Sequence, residues 1–278
     1  MERSFFFFTL FMLIITTRSF SQGTAGESAK FEHRYLIDMP AAGILDKGYV
    51  GIISNVMPSG VVINKIEVGV FDNLCFGISY GGSNIIGSGK VNWYNLPGVN
   101  IRYKFFNESV SFPSITIGFD SQGKGLEFEN PERYEIKSLG FFVAASKNYQ
   151  FLGYLSLHAA THYSLEKNDG DNFLNFKIGA EKTIGPNFSF VAEYDFGFND
   201  NSATSLGEGN GYLNIGLKFS AGLGFTLGFE VRDIFNNRRW NPNSADRALS
   251  IEYIKSIFWS LFIFQFLEDN FKAFWKLL

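Results

Sequence analysis

The segment FSFVAEYDFGF, residues 188–198, changes chemical character at every second position. One set of alternate positions is aromatic or apolar: Phe188, Phe190, Ala192, Tyr194, Phe196 and Phe198. The intervening set is smaller and carries two carboxylates: Ser189, Val191, Glu193, Asp195 and Gly197. A period of two is typical of a β-strand whose two faces meet different surroundings. The segment therefore predicts a strand with one apolar face and one polar face.

The same alternation recurs through much of the chain. It is found in Leu74–Tyr80, Ile101–Phe105, Ile115–Phe119, Leu174–Ala180, Leu213–Phe219 and Phe225–Val231. A soluble β-sandwich rarely repeats such strands along a whole chain. A membrane barrel requires them, because lipid surrounds its outside while water or a polar network fills its inside. We therefore predict an all-β, antiparallel, up-and-down transmembrane β-barrel, with a soluble β-sandwich as the alternative fold.

The composition favours a barrel and argues against several other classes of protein. Among 278 residues there are 33 Phe, 12 Tyr and 29 Gly but 7 Pro, which suits many strands joined by turns. The mean hydropathy of +0.02 argues against a helical membrane protein. The net charge of −3, with both signs mixed along the chain, argues against a nucleic-acid partner. The single cysteine, Cys75, permits no intramolecular disulfide and is interpreted as a small packing residue.

About twelve strands are predicted from the alternation and the turn-forming residues between segments. Their approximate ranges are 47–57, 60–71, 73–81, 97–106, 110–121, 132–147, 149–163, 172–184, 187–199, 211–220, 222–234 and 246–257. Short connections near residues 72, 107, 148, 185 and 221 alternate strictly with long polar ones. In bacterial outer-membrane barrels the short turns face the periplasm and the longer loops face outwards. The pattern predicts that orientation here.

The chain is predicted to have four parts. Residues 1–21 have the character of an export signal, with cleavage after Ser21. Residues 22–46 are predicted to form a periplasmic segment or a plug in the barrel mouth, and the sequence leaves these alternatives open. Residues 47–258 are the predicted barrel. Residues 259–278 form an aromatic amphipathic tail, which either lies at the inner leaflet surface or is a disordered extension.

Charged side chains at inward positions predict a charge network inside the barrel. The predicted lumen-lining residues are Arg102, Lys104, Asp120, Lys177, Glu181, Glu193, Asp195, Lys218, Glu230, Arg232 and Glu252. Opposite charges fall on neighbouring strands, as for Lys177 beside the strand of Glu193 and for Lys218 beside Glu230. One interpretation is a salt-bridge lattice that fills a narrow barrel and fixes the strand register. The other is a pore lining, although mixed charge argues against strong ion selectivity.

No catalytic site, metal site or cofactor is predicted. Ser156 and His158 share one face, as a nucleophile and base would, but no acid is evident nearby to orient the histidine. His158 and His162 would lie roughly 13 Å apart along a strand, too far to hold one metal ion. Residues 168–172, NDGDN, resemble part of a calcium loop but lack its distant glutamate, so we interpret them as a hairpin turn.

Four segments carry a resemblance to a known group of proteins. They are Leu36–Ile44, GISY at 77–80, FDSQG at 119–123 and AASK at 144–147. They are similar to segments of the YjbH-like group of bacterial outer-membrane β-barrels, and the similarity extends over most of residues 33–257. The resemblance implies an outer-membrane location and a part in exopolysaccharide production or export. It supplies no catalytic residue, and the C-terminal tail departs from the pattern of the group.

The expected function is that of a non-enzymatic outer-membrane barrel, structural or accessory to the handling of envelope polysaccharide. The expected partners are outer-membrane lipid and lipopolysaccharide, the barrel-assembly machinery and polysaccharide-export components, with no nucleic acid. Two alternatives remain open. One is a passive or selective pore for small solutes. The other is a membrane-embedded lipid hydrolase that uses Ser156 and His158.

Overall fold

A computed structural model describes residues 23–202, 204–239 and 245–257. The predicted export signal and aromatic tail lie outside these residues. The strands are β1 (Tyr49–Met57), β2 (Val61–Phe71), β3 (Leu74–Ser83), β4 (Asn92–Trp93), β5 (Gly98–Phe106), β6 (Ser114–Asp120), β7 (Lys124–Glu129), β8 (Glu132–Ile136), β9 (Gly140–Gln150), β10 (Tyr154–Tyr163), β11 (Asn175–Ile184), β12 (Phe188–Asp195), β13 (Tyr212–Gly222), β14 (Phe225–Arg232) and β15 (Asp246–Ser256). Within the described ranges, no helix is long and apolar enough to span a membrane.

Twelve of the described strands form one closed antiparallel barrel. Around the ring the order is β2, β1, β15, then each strand in descending sequence order to β9, followed by β6, β5 and β3. Pairing of β2 with β3 closes the ring, so the sheet is not one half of a sandwich. The two-residue strand β4 pairs with one end of β3, and β7 pairs with β8 in a separate hairpin. The predicted twelve-strand, up-and-down barrel is confirmed.

The alternation along β12 separates the two faces of the barrel wall. Phe190 is 42% exposed on the outer surface, whereas Glu193 is 2% exposed on the inner side. Lys182 on β11 is a basic residue on an outward position, and it lies beside Phe190 in the register. Its Nζ donates to the Leu152 carbonyl at 2.7 Å, in the turn between β9 and β10. The charge therefore lies at the barrel rim and not among apolar side chains.

Short turns and long loops lie at opposite ends of the barrel, as predicted, but the boundaries at both ends of β9 were wrong. Residues 132–147 do not form one strand, because residues 132–136 belong to the β7–β8 hairpin and the barrel strand begins at Gly140. Gly140 has a φ of +59°, and a Cβ there would lie 2.1 Å from the Tyr163 carbonyl oxygen. This close approach separates the hairpin from β9. The following turn lies at residues 151–153 and not at Asn148.

The N-terminal residues 23–48 run inside the barrel as an irregular hairpin, which we call the plug. At the short-turn end the amide of Gly26 donates to the hydroxyl of Ser189 at 2.8 Å. The chain rises into the lumen and reverses direction at an apex, where the Leu36 amide donates to the Met39 carbonyl at 3.0 Å. It then returns to the short-turn end and enters β1.

Candidate functional site

Glu193 on β12 holds the apex of the plug. Its carboxylate oxygens accept the backbone N–H groups of Ile37, Asp38 and Met39 at 2.9, 2.8 and 3.0 Å. The side-chain amide of Asn214, on the adjacent strand β13, donates to the same carboxylate at 2.8 Å. A sharp reversal removes amides from regular secondary structure, and buried amides need acceptors. One carboxylate therefore satisfies the apex and fixes its position in the lumen.

Arg34, in the rising arm of the plug, binds two carboxylates of the wall. Its Nε lies 2.5 Å from Glu67 on β2, and its Nη2 lies 2.6 Å from Glu252 on β15. Strand β1 lies between those two strands, and Gly51 faces the guanidinium from it. A Cβ on Gly51 would approach the Arg34 Nη2 to 2.8 Å. The missing side chain lets one guanidinium reach across β1 to both acids.

Asp38 at the apex joins the wall to the β7–β8 hairpin. Its carboxylate lies 2.9 Å from the Arg232 Nε on β14 and 2.8 Å from the Lys124 Nζ at the start of β7. Arg232 also binds Glu230 on its own strand at 2.7 Å. All of these groups are largely buried, and buried charges are tolerated when they are paired and hydrogen-bonded. The apex therefore connects the inner wall with the long-loop end.

Arg102 on β5 binds the backbone of both arms of the plug. Its guanidinium donates to the carbonyls of Arg34 at 2.7 Å, and of Ala41 and Gly43 at 3.1 Å each. The guanidinium also lies over the Tyr35 ring, 4.3 Å from its centroid. The planar, multiply donating head of arginine suits this double task. Arg102 thus ties the rising arm to the returning arm across the lumen.

Apolar packing around the apex completes the filling of the lumen. Leu36, Ile37 and Met39 form one buried cluster with Phe142 and Val191 of the barrel wall. Gly179 and Gly216 of the wall leave room for this cluster, since a Cβ on them would lie 2.4 Å from the Leu36 Cδ1 and 3.4 Å from the Ile37 Cδ1. The interior of this barrel is therefore partly an ordinary protein core.

The structure places the eleven predicted lumen residues on the inner side of the wall. Eight of them contact the plug: Arg102, Lys104, Asp120, Glu181, Glu193, Lys218, Arg232 and Glu252. Lys177 and Asp195 pair across neighbouring strands at 2.8 Å. Lys218 lies on the strand beside that of Glu230, and it donates to the Tyr35 carbonyl at 3.1 Å while Glu230 binds Arg232. Plug atoms occupy the space that a wall-to-wall lattice would need.

Four central charges were missing from the sequence prediction. They are Arg34 and Asp38 in the plug and Lys65 and Glu67 on β2. Lys65 pairs with Asp120 on β6, so β2 contributes to the network as fully as the later strands do. The spacing of Lys65 and Glu67, two residues apart between apolar neighbours, was the available signal. The plug offers no such signal, because it has no strand periodicity.

A second set of buried ion pairs closes the long-loop end of the barrel. Arg133 on β8 lies 2.6 Å from both Asp169 and Asp200, which belong to two different long loops. Lys137, just after the hairpin, lies 2.7 Å from Asp169. Arg238 in the last long loop binds both Glu135 of β8 and Asp246 of β15. The β7–β8 hairpin, which these pairs hold over the mouth, is called the lid below.

Glu166 fastens the lid to the loop between β10 and β11. Its carboxyl oxygens accept the backbone N–H groups of Tyr134 and Ser138, each at 2.7 Å. Burial raises the pKa of the Glu166 carboxyl above its usual value, and these amide donors together with Arg133 offset part of the rise. We therefore expect the stability of the connection between lid and loop to depend on pH.

Residues 168–172 contribute to the contacts that cover the long-loop end of the barrel. Asp169 binds the lid cations, and the Asp171 carboxylate accepts the amides of Asn201 and Ser202 at 2.7 and 2.9 Å. The acids that resemble a calcium loop are thus occupied by protein donors. In the part of the chain that the structure describes, there is no group of three or more His, Cys, Asp or Glu side chains placed to hold a metal ion.

Ser156 and His158, the residues considered for a hydrolase, do not contact each other. The Ser156 hydroxyl donates to the Asn148 side chain. The His158 Nδ1 instead lies 2.7 Å from the Ser146 hydroxyl on β9. His162 lies deeper, with its Nδ1 3.1 Å from the Leu139 carbonyl and its Nε2 3.0 Å from the Asn175 side chain. The geometry gives Ser156 no base.

Comparison with known proteins gives matches of structure and none of sequence family. No family model and no curated protein matches the chain. Three of the solved structures similar to it are porins. The KdgM porin has a TM-score of 0.49 at 9% identity, and its complex with disordered oligogalacturonate has a TM-score of 0.47 at 9% identity. The NanC porin has a TM-score of 0.41 at 8% identity. Each match covers 74% of this chain and 98% of the other.

Proposed function

We propose that this chain is a non-enzymatic barrel of a bacterial outer membrane, closed by its own N-terminal plug. In this proposal it is a structural or accessory component in the handling of envelope polysaccharide. Its partners would be outer-membrane lipid and lipopolysaccharide, the barrel-assembly machinery and polysaccharide-export components. The apolar outer surface supports a membrane location, since exposed Phe and Leu side chains are stable against lipid. The resemblance of the sequence to the YjbH-like group favours the polysaccharide role.

The observation that carries the closed barrel is the attachment of the plug by Arg34 and Asp38. Each binds charged groups on two elements, and both side chains are almost fully buried. Removing one member of such a buried pair costs about 3–5 kcal/mol, since a charge is left without its partner. Withdrawal of the plug would break the ion pairs of Arg34 and those of Asp38 together. The lumen is therefore closed at rest in this proposal.

Single-channel recording in planar bilayers tests this closure. The full chain should give no discrete conductance steps at moderate voltage. The double variant Arg34→Met/Asp38→Asn, which removes the ion pairs of the rising arm and of the apex, should give steps or noisy openings. Exposed Lys90→Met supplies a matched control that removes a surface cation and should remain silent. Regular, long-lived steps from the full chain would contradict a closed lumen and favour a porin-like role.

A second candidate, a passive or selective pore for small solutes, has one observation in its favour. A cavity of about 70 Å³ lies beside the plug, lined by Thr24 near the short-turn end and by Gln122 near the long-loop end. Lys65, Glu230 and Glu252 also line it, so both charge signs face the space. The volume accommodates a few water molecules. It suits leakage of water or protons better than passage of an organic solute.

The polysaccharide role requires a test in the source bacterium. We expect deletion of the gene to change the amount of surface polysaccharide, and the wild-type gene to restore it. The Glu193→Gln variant, which keeps one of the two oxygens at the apex, should also restore it. Unchanged polysaccharide in the deletion strain would remove the accessory role while leaving the closed barrel intact.

A further inference from the structure

A groove of about 540 Å³ crosses β5, β6, β9 and β10 on the outer surface of the barrel. Two rows of side chains, which the strand register aligns, line it: Ile117, Val143 and Thr161 in the first row, and Phe119, Phe141 and Tyr163 in the second. The second row is aromatic and lies nearer the long-loop end. The lining is mainly apolar, and the Thr161 hydroxyl donates to the Asn175 carbonyl at 3.1 Å. We call this space the outer groove.

The outer groove belongs to the surface that faces lipid when the barrel spans a membrane, since Ile117, Phe141 and Val143 are exposed on the outside of the wall. The bilayer core contains no water to fill an apolar groove. An empty groove would leave its lining atoms without van der Waals partners on one side. A hydrocarbon chain is therefore the occupant that the surroundings supply, and the groups at the long-loop end of the groove select the lipid that carries it.

A second space, of about 350 Å³, lies at the long-loop end of the groove, and Phe119 lines both. We call it the rim chamber. Three acids line it, Glu127, Glu132 and Glu166, and none of them forms an ion pair with a cation among the described residues. Arg133 also lines the chamber, but two aspartates of the long loops bind its guanidinium. The chamber therefore has an excess of negative charge and favours a cationic group.

Lys167 is the cation beside the groove. Its Nζ lies 4.5 Å from the centroid of the Tyr163 ring, which lines the groove. The side chain is half-buried, and within the part of the chain that the structure describes it has no ion-pair partner. The next residue, Asn168, donates from its side-chain amide to the exposed Glu132 at 3.1 Å. A cation and an acid therefore lie close together at the rim without binding each other.

We infer that the outer groove and the rim chamber together bind one zwitterionic phospholipid. One acyl chain lies in the groove, the phosphate binds the Lys167 ammonium, and the ammonium of the head group faces Glu132 and Glu127. A purely anionic head would meet the acids of the chamber, and a head without phosphate would leave Lys167 unpaired. The inference rests on the membrane location in the proposed function, and it is independent of the closed lumen and of the polysaccharide role.

Native mass spectrometry of the full chain in detergent micelles tests the inference. Dioleoyl-phosphatidylethanolamine, dioleoyl-phosphatidylglycerol and dioleoylglycerol are added as separate probes. We expect the barrel to retain one molecule of phosphatidylethanolamine at a concentration at which it retains little of the other two. Equal retention of all three would indicate general solvation of the surface by lipid and would overturn the inference.

Two variants test the position of the acyl chain. Thr161→Trp and Val143→Trp fill the outer groove from different strands, and each should abolish the one-to-one complex. Ala180→Trp, on the outer face of β11 and outside the groove, is the matched control and should bind as the wild type does. Undiminished retention in both groove variants would overturn the inference. A dimer that forms without lipid and dissociates in Thr161→Trp would assign the groove to a second copy of the chain and would also overturn it.

Two further variants test the head group. Lys167→Met should weaken the binding of phosphatidylethanolamine about threefold, as expected for one lost, partly exposed ion pair. Lys255→Met, an exposed cation at the short-turn end, is its control and should have no effect. Glu132→Gln should lower the preference for phosphatidylethanolamine over phosphatidylglycerol. An unchanged preference in Glu132→Gln, or full binding in Lys167→Met, would overturn the head-group assignment and with it the inference.

Incorporation of the wild type into phospholipid vesicles separates this inference from the proposed function. A chain that incorporates as a folded barrel but retains no phosphatidylethanolamine overturns the lipid site alone. A chain that does not incorporate contradicts the membrane location itself. The electrophoretic shift between unheated and boiled samples shows that each variant still forms a barrel.

Discussion

Single side chains position the plug, because the plug has no regular secondary structure of its own. The Glu193 carboxylate accepts backbone N–H groups that a neighbouring strand would otherwise accept. Arg34 joins the plug to two strands of the wall by ion pairs instead of backbone hydrogen bonds. Buried ion pairs of this kind contribute little net stability relative to apolar packing, but breaking one of them is costly. Their role here is to specify one arrangement of the plug among many compact ones.

Replacing Glu193 with Ala should destabilise the apex strongly. Three buried amides would lose their acceptor, and at about 1 kcal/mol for each the free energy of unfolding should fall by roughly 3 kcal/mol or more. Glu193→Gln keeps one acceptor oxygen and should lose less. Urea unfolding of the barrel in detergent measures both values. Two variants as stable as the wild type would show that Glu193 does not hold the plug.

Glu166 should give the lid a pH dependence of definite sign. Its pKa is raised on folding, so its favourable contribution is complete below the unfolded value of about 4.3 and is lost as pH rises through the folded pKa. As the pH rises through this range, we expect the wild type to lose stability relative to the Glu166→Gln variant. Thermal unfolding from acidic to neutral pH measures the difference. The exposed Glu132→Gln serves as control, and an opposite slope would contradict the burial argument.

At the level of elements, the twelve barrel strands could be predicted because each has two faces in different surroundings. Phe190 and Glu193 show this directly, one against the outside and one against the plug. The lid was not predicted, although the outward apolar positions change from even numbers at Tyr134 and Ile136 to odd numbers at Phe141 and Val143. That change of parity was the available local signal, and the boundary itself lies at the close contact of Gly140 with Tyr163.

Removing Arg133 should open the lid without opening the barrel. Arg133→Ala leaves Asp169 and Asp200 buried without their shared cation, which should cost about 3–5 kcal/mol locally. Proteolysis of the intact barrel should then become faster within residues 124–136. Lys90→Ala, on another long loop, is the control and should leave the cleavage rate unchanged. An unchanged rate in Arg133→Ala would mean that other contacts suffice to hold the lid.

At the level of the whole molecule, the barrel is filled by its own chain and covered at its long-loop end. The predicted lumen charges were identified by strand parity, but their partners were not. Lys218 illustrates the difference, because its position inside the barrel follows from β13 alone whereas its contact with Tyr35 depends on where residues 23–48 lie. Partners that come from an irregular segment carry no periodic signal. The inward positions follow from strand parity, whereas the contacts that residues 23–48 make with them do not.

Thiol accessibility at the apex of the plug tests the central claim most directly. In a Cys75→Ala background, Met39→Cys places a single thiol at a side-chain position that is 0% exposed inside the lumen. Leu165→Cys, on a long loop and 51% exposed, is the reactive control. In the folded barrel the account predicts rapid maleimide labelling at position 165 and negligible labelling at position 39 until the protein is unfolded. The barrel is shown to be folded when unheated and boiled samples migrate differently in an SDS gel. Rapid labelling at position 39 in such a folded barrel would place the N-terminal segment outside the lumen and contradict the account.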